Sequence, residues 1–165
     1  MSASYETSRL QISELLTSKQ TPEFLASIVD VLTPNVVENL PPYFQNVNAI
    51  SAAQHWLARI ISDGRLFVVK LTGENPPIGF VFLSSENTNK THIGYLLSEA
   101  YWGHGYATEI LQGLLEFIRS EGQIMNLVAG VAPDNVASIK LLHKLGFNKV
   151  PNNDHGAVFF EYQLS

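Results

Sequence analysis

Apolar residues recur along the chain at two spacings, and the alternation between them predicts its elements. Arg9-Leu10-Gln11-Ile12 alternates polar and apolar, which predicts a first strand. Thr21 is placed to cap a helix with Pro22 at its first position and Glu23 in its first turn. Phe24, Leu25, Ile28, Val29 and Leu32 then form one helical stripe. Leu40-Pro41-Pro42-Tyr43-Phe44 breaks regular structure and predicts an exposed loop. Ser51 to Ile61 returns to helix, with Trp56, Leu57 and Ile60 on one side. Arg65 to Leu71 and Pro77 to Ser84 read as a hairpin joined through Thr72-Gly73-Glu74-Asn75-Pro76. A polar turn over Glu86 to Lys90 leads into Thr91 to Leu97, an apolar run short enough for a buried strand. Ala107, Ile110, Leu111, Leu114, Leu115 and Ile118 recur at offsets of three and four, predicting a long helix that ends near Gly122. Leu127 to Val131 predicts a short buried strand. Pro133-Asp134 opens a second late helix, capped at Asp134 or Asn135 and closed by Gly146. Phe147 to Val150 and Ala157 to Leu164 finish the sheet. The expected class is α+β: a mixed, mainly antiparallel central sheet flanked by helices as an α/β/α sandwich, in one domain over residues 1–165.

Composition narrows the class. Hydrophobic residues make up 45% and charged residues 15%, the profile of a globular chain. No apolar run approaches the length of a membrane span, and the N-terminal residues lack the basic and apolar regions of a signal peptide. Cysteine is absent, which removes disulfides, thiolate metal sites and a cysteine nucleophile. A cytoplasmic protein is the simplest expectation. The formal charge of −5 argues against a nucleic-acid surface.

The chemistry concentrates at Tyr101-Trp102-Gly103-His104-Gly105-Tyr106-Ala107-Thr108, between the predicted buried strand and the long helix. Gly103 and Gly105 remove two side chains where the backbone turns into a helix N-terminus. The free N–H groups and the positive end of the helix dipole then suit phosphate oxygens. Such a cradle is local, so it can hold a polyanionic ligand on an acidic chain. A Walker loop would need Gly-Lys-Ser/Thr at its end, and a dinucleotide fingerprint would need a third small residue where Thr108 stands.

Ile93-Gly94-Tyr95-Leu96-Leu97 followed by Trp102 to Glu109 resembles the acetyl-CoA-binding motif of the GNAT acyltransferases, in particular those of the RimJ/RimL type. The block Asn135-Val136-Ala137-Ser138-Ile139-Lys140-Leu141-Leu142-His143-Lys144-Leu145-Gly146-Phe147 is similar to that family's other signature. The resemblance implies a GNAT-like sheet that splays at Gly94, with backbone groups of Tyr95, Leu96 and Leu97 pairing with the pantetheine arm. It implies cofactor contacts from Gly103, His104, Gly105, Tyr106, Ala107, Thr108, Asn135, Ser138 and Lys144. Trp102, also in the expected loop, stands where the family often has Gln or Arg, which takes away a side-chain phosphate contact. A bulge or packing role for Gly94, a plain cap for Asn135 and a solvated last-turn role for Lys144 are the alternatives.

Catalytic groups are harder to read. Ser138 falls one turn after Asn135. By resemblance its hydroxyl protonates the departing CoA thiolate or contacts CoA; a back-bond to a carbonyl is the alternative. The attacking amine must be neutral, which is easier for a terminal α-amine, with a pKa of about 8, than for a lysine-like amine at about 10. Candidates for the base are His92, Glu99 and Glu161, acting directly or through water. His55, His143 and His155 have no partner at metal spacing, so no metal is expected.

The expectation is therefore an acetyl-CoA-dependent N-acetyltransferase that passes acetyl directly to a primary amine, with a protein N-terminal α-amine as the leading acceptor. The alternatives are a small-molecule acetyltransferase acting on a polyamine, amino acid or antibiotic amine, and a non-catalytic acyl-CoA-binding module. The expected partners are acetyl-CoA and the amine acceptor, with no nucleic acid or membrane, in a monomer or homodimer.

Overall fold

The computed structural model describes residues 3–85, 90–151 and 156–164. His155 and most of the polar turn that begins at Glu86 lie outside the described residues. Eight strands form one sheet in the order β1 (Ser4–Glu6), β2 (Leu10–Leu15), β3 (Arg65–Leu71), β4 (Pro77–Ser85), β5 (Lys90–Leu97), β6 (Asn126–Val131), β8 (Val158–Gln163), β7 (Asn148–Val150). All neighbours are antiparallel except β5 and β6. The helices are α1 (Pro22–Val31), α2 (Pro34–Val37), α3 (Ile50–Asp63), α4 (Tyr106–Glu121) and α5 (Val136–Lys144).

The sheet is covered on both faces, which is why β3 and β4 read as continuous apolar runs rather than alternating ones. Leu66, Val68 and Phe80 turn toward the helices α1 to α3, in a cluster with Ile28, Trp56 and Leu57. Phe67, Val69 and Val81 turn the other way, against Ile110, Leu114 and Ile118 of α4 and Leu142 of α5. Each buried aliphatic or aromatic side chain of these layers contributes about 1.5–3 kcal/mol. The caps follow the sequence closely. Thr21 accepts from the Phe24 N–H, and Gly122 ends α4 at φ +72°.

One expectation changes, and two elements were not read. The segment at Leu40 to Phe44 is not simply an exposed loop, because Pro42–Phe44 forms a 3-10 turn and Phe44 is buried. Its ring meets Trp56 and Phe82 edge-on, so aromatic packing outweighs the prolines' signal for exposure. β1 and the short α2 were not legible as periodic segments. β1 is held by pairing with β2 and by Tyr5, whose hydroxyl donates to the Ile110 carbonyl at 2.8 Å.

The long helix α4 is fixed at both ends by ion pairs to the sheet. At its C-terminal end Arg65 forks to Glu14 of β2 (3.0 and 3.1 Å) and to Glu121 of α4 (3.1 and 3.2 Å). At its start Glu109 meets Arg9. The helix N-terminus is thus delivered to one place, beside the gap between β5 and β6.

Candidate functional site

That gap is built into the pairing. The parallel strands β5 and β6 share register only over Lys90, Thr91 and His92, opposite Asn126, Leu127 and Val128. Beyond His92, β5 runs on to Leu97 paired only with β4, while β6 follows β8. The strands therefore part at Ile93-Gly94, as expected for Gly94. Alternation decides which backbone groups are open. Ser98 donates to the Ile78 carbonyl, so by period two Leu96 and Gly94 also spend their groups on β4. Ile93, Tyr95 and Leu97 face the gap. Leu96 lines the cavity but turns its backbone away from it, which narrows the expected backbone-pairing set to Tyr95 and Leu97 and adds Ile93.

The loop after β5 closes one end of the gap. Gly103 (φ +77°) and Gly105 (φ +81°) both lie in the left-handed region, and Gly105 is the N-cap of α4. A side chain at either would be strained, and a Cβ on Gly103 would project into open space. Glu109 makes the first helical bond, to the Gly105 carbonyl. The N–H groups of Tyr106, Ala107 and Thr108 have no acceptor among the described residues, and all three residues line the cavity. This is the arrangement that suits a phosphate.

Trp102 has a different role from a phosphate contact. Its indole N–H donates to the Leu97 carbonyl at 2.9 Å, tying the loop to the open end of β5. Its ring remains half exposed at the cavity rim.

The cavity along the gap measures about 850 Å³, within the usual range for ligand sites. Of the expected cofactor residues, Tyr95, Leu96, Leu97, Trp102, Gly103, Gly105, Tyr106, Ala107, Thr108, Asn135 and Ser138 line it. His104 is exposed and outside the lining, with its ring 6.1 Å from that of Tyr106. Lys144 is exposed in the last turn of α5 and also outside it.

Across the gap, the Asn135 carbonyl oxygen of the side chain accepts from the Ser138 N–H at 3.3 Å, capping α5. That cap turns the Ser138 hydroxyl toward β5, where it lies 3.1 Å from the Tyr95 hydroxyl. Burial pushes the Tyr95 phenol above its ordinary pKa, and the hydrogen bond to Ser138 only partly offsets this. Tyr95 is therefore a neutral O–H donor at physiological pH.

A second cavity of about 520 Å³ opens behind the first and shares Leu40, Ile93, Gly94, Tyr95 and Gly130 with it. Tyr43, Phe44 and Phe82 give it an aromatic wall, and Asp63 and His92 give it polar groups. Of the expected bases only His92 lines it. Glu99 is exposed and accepts from the Asn35 side chain at 3.1 and 3.3 Å. Glu161 on β8 pairs with Lys90 and lines neither cavity.

Three contributors were not read from the sequence. Asn35, Val36, Glu38, Asn39 and Leu40 wall part of the first cavity, and carry no local signal for this. The Tyr95 side chain was expected only for its backbone. Arg9 and Thr7 both reach Glu109 from the N-terminal strands. A hint existed, because a carboxylate in the first turn of a phosphate-binding helix calls for a cation.

The sheet is thus parted between two parallel strands, with a glycine-turned helix start beside the gap. The acetyltransferase (GNAT) domain pattern matches residues 9–148, and the chain belongs to that family. An uncharacterized N-acetyltransferase p20 of Bacillus licheniformis is 38% identical over 71 residues, which cover 43% of this chain and 39% of that protein. The match thus spans less than half the length of that relative. The fold is that of a GNAT-family acetyltransferase from Bacillus anthracis, with a TM-score of 0.78 at 17% identity over 98% of this chain and 99% of the other. RimL, a ribosomal alpha-N-protein acetyltransferase solved in complex with coenzyme A, superposes with a TM-score of 0.77 at 16% identity over 95% of each chain. Among the described residues no helix is long and apolar enough to cross a membrane.

Proposed function

We propose that this chain is a cytoplasmic N-acetyltransferase that transfers acetyl from acetyl-CoA directly to a primary amine, with a peptide N-terminal α-amine as the leading acceptor. The observation that carries the proposal is the meeting of two cavities at one point. The first runs from the free N–H groups of α4 along the open edge of β5, and the second joins it at Gly94, Tyr95 and Gly130.

Acetyl-CoA supplies an acyl group activated as a thioester. In this reading Tyr106, Ala107 and Thr108 hold its pyrophosphate through their backbone, and Tyr95 and Ile93 offer strand-like partners to its amide arm. Trp102 already occupies the Leu97 carbonyl. Ser138 Oγ is the proton donor, held in place by the Tyr95 hydroxyl. The amine enters through the second cavity, where His92 takes up its proton directly or through water. With no cysteine in the chain, no thiol is present to carry the acyl group. Holding both substrates together lowers the entropic part of the barrier instead. An α-amine needs less deprotonation than a lysine-like amine, which suits a site where, among the described residues, His92 is the one imidazole lining the acceptor cavity. The likeness to RimL supports the same acceptor class.

A second reading, a small amine acceptor, is favoured by the size of the second cavity and by Asp63 on its wall. A screen of CoA release over N-terminal peptides and small amines separates the two. Turnover confined to peptides supports the first reading, and turnover confined to small amines supports the second. Acetyl-CoA binding without turnover on a broad panel would make the chain a binding module.

A further inference from the structure

The phosphate loop of this chain has a charge problem. It carries no lysine or arginine of its own. Trp102 donates its only polar group to Leu97, and His104 and Lys144 stand outside the cavity. Glu109, meanwhile, puts a carboxylate in the first turn of the helix that faces the phosphates. That carboxylate is compensated from a distant part of the chain. Thr7 donates its hydroxyl to it, the Arg9 backbone N–H donates at 2.9 Å, and Arg9 Nε donates at 2.8 Å. The tight turn that brings both there is closed by the Thr7 N–H to the Leu10 carbonyl.

Glu109 takes only one edge of the Arg9 guanidinium. The Arg9 group lies over the Tyr106 ring, 4.2 Å from its centre, and Tyr106 lines the cavity. A Cβ on Gly105 would sit 3.5 Å from an Arg9 Nη nitrogen, so this edge of the fork hangs beside the glycine turn. The two Nη groups have no acceptor among the described residues, and the side chain is 44% exposed. A stacked, half-tethered guanidinium with a free fork is built for bidentate contact with a phosphate.

We propose that Arg9 is a cofactor-binding residue: it supplies the cationic contact to the coenzyme phosphates that the loop itself lacks, and Glu109 aims it. The inference rests on reading the cavity as a coenzyme site. Glu109 thus acts as a positioning residue, and Thr7 fixes the carboxylate that does the aiming.

The test measures CoA affinity by calorimetry at several salt concentrations, and kcat/KM with acetyl-CoA and with phosphate-free S-acetylpantetheine. Arg9→Gln and Arg9→Met are both needed, since Met keeps the alkyl stem against Tyr106 should Gln fail to fold. Either variant should weaken CoA binding by roughly ten- to a hundredfold, the range for losing a hydrogen bond to a charged group. The salt dependence of binding should become shallower, and kcat/KM with S-acetylpantetheine should stay within about twofold of wild type. Unchanged CoA affinity in a folded variant would overturn the proposal, as would equal losses with both thioesters, which would mark Arg9 as merely structural. A wild-type chain with no CoA affinity would refute the coenzyme reading itself, a result distinct from either of these.

Discussion

Replacing Ser138 by Ala isolates one atom of the site. The Ser138 hydroxyl is held 3.1 Å from the Tyr95 hydroxyl, in a neutral pair that is partly buried. As a structural contact such a bond is worth about 1 kcal/mol. As a proton donor the same hydroxyl contributes roughly 10²–10⁴-fold to the rate, which is about 2.7–5.4 kcal/mol of barrier. The two roles therefore separate on different axes. Ser138→Ala should lower kcat by that factor, with KM for acetyl-CoA changed by less than about threefold and the unfolding midpoint barely moved. Tyr95→Phe removes the partner that orients the hydroxyl and should lower kcat less. The double variant should be no worse than Ser138→Ala alone, because the two hydroxyls act as one unit. The assay is steady-state CoA release with each substrate varied, beside a urea titration of each variant. A kcat within twofold of wild type with weakened acetyl-CoA binding would refute the donor role and leave Ser138 as a binding residue. Fully additive losses would refute the coupling.

The remaining predictions concern the loop. Gly105→Val forces a β-branched residue to φ +81°, at a cost of about 1–2 kcal/mol or more, and crowds the close approach of a phosphate. Calorimetry should find acetyl-CoA affinity reduced at least tenfold in a folded variant, and unchanged affinity would contradict the cradle. The Arg9–Glu109 clamp should fail in acid. Burial works against the Glu109 charge, but the Thr7 and Arg9 hydrogen bonds outweigh it and hold the carboxyl below its ordinary value of 4.5. A lowered folded pKa gives stability that is present above the unfolded value and is lost as pH falls through the folded one. Glu109→Gln should therefore flatten the acid limb of a stability–pH curve below about 4.5. An acid limb identical to wild type would contradict the linkage.

Local signals made much of this legible. The stripe from Ala107 to Ile118 and the glycine at 122 read as a long helix ending near Gly122, and α4 runs Tyr106–Glu121, because helix period and C-cap chemistry are both short-range. The hairpin from Arg65 was readable for the same reason, and the cap of α5 was narrowed to Asp134 or Asn135, of which the structure uses Asn135. What escaped depends on contacts between distant residues. Phe44 is buried because Trp56 and Phe82 lie across the fold from it, and no neighbour in sequence says so. Arg9 meets Glu109 across 100 positions. Leu96 was expected to pair with the pantetheine arm, yet the parity of the β4–β5 ladder gives its backbone to Phe80. Parity of that kind follows from register, which only the assembled sheet defines. Glu99 and Glu161 were reasonable bases by residue type, but Asn35 and Lys90 hold them outside both cavities.

In the proposed reaction acetyl passes directly between two substrates bound in cavities that meet at Tyr95. Initial rates measured over a grid of acetyl-CoA and acceptor-amine concentrations test it most directly, paired with mass spectrometry of the chain after brief exposure to acetyl-CoA alone. Direct transfer gives intersecting lines in the double-reciprocal plot and no acetylated enzyme that passes its acetyl group to the amine. Parallel lines, with an acetyl adduct that forms rapidly and is discharged by the amine, would contradict it.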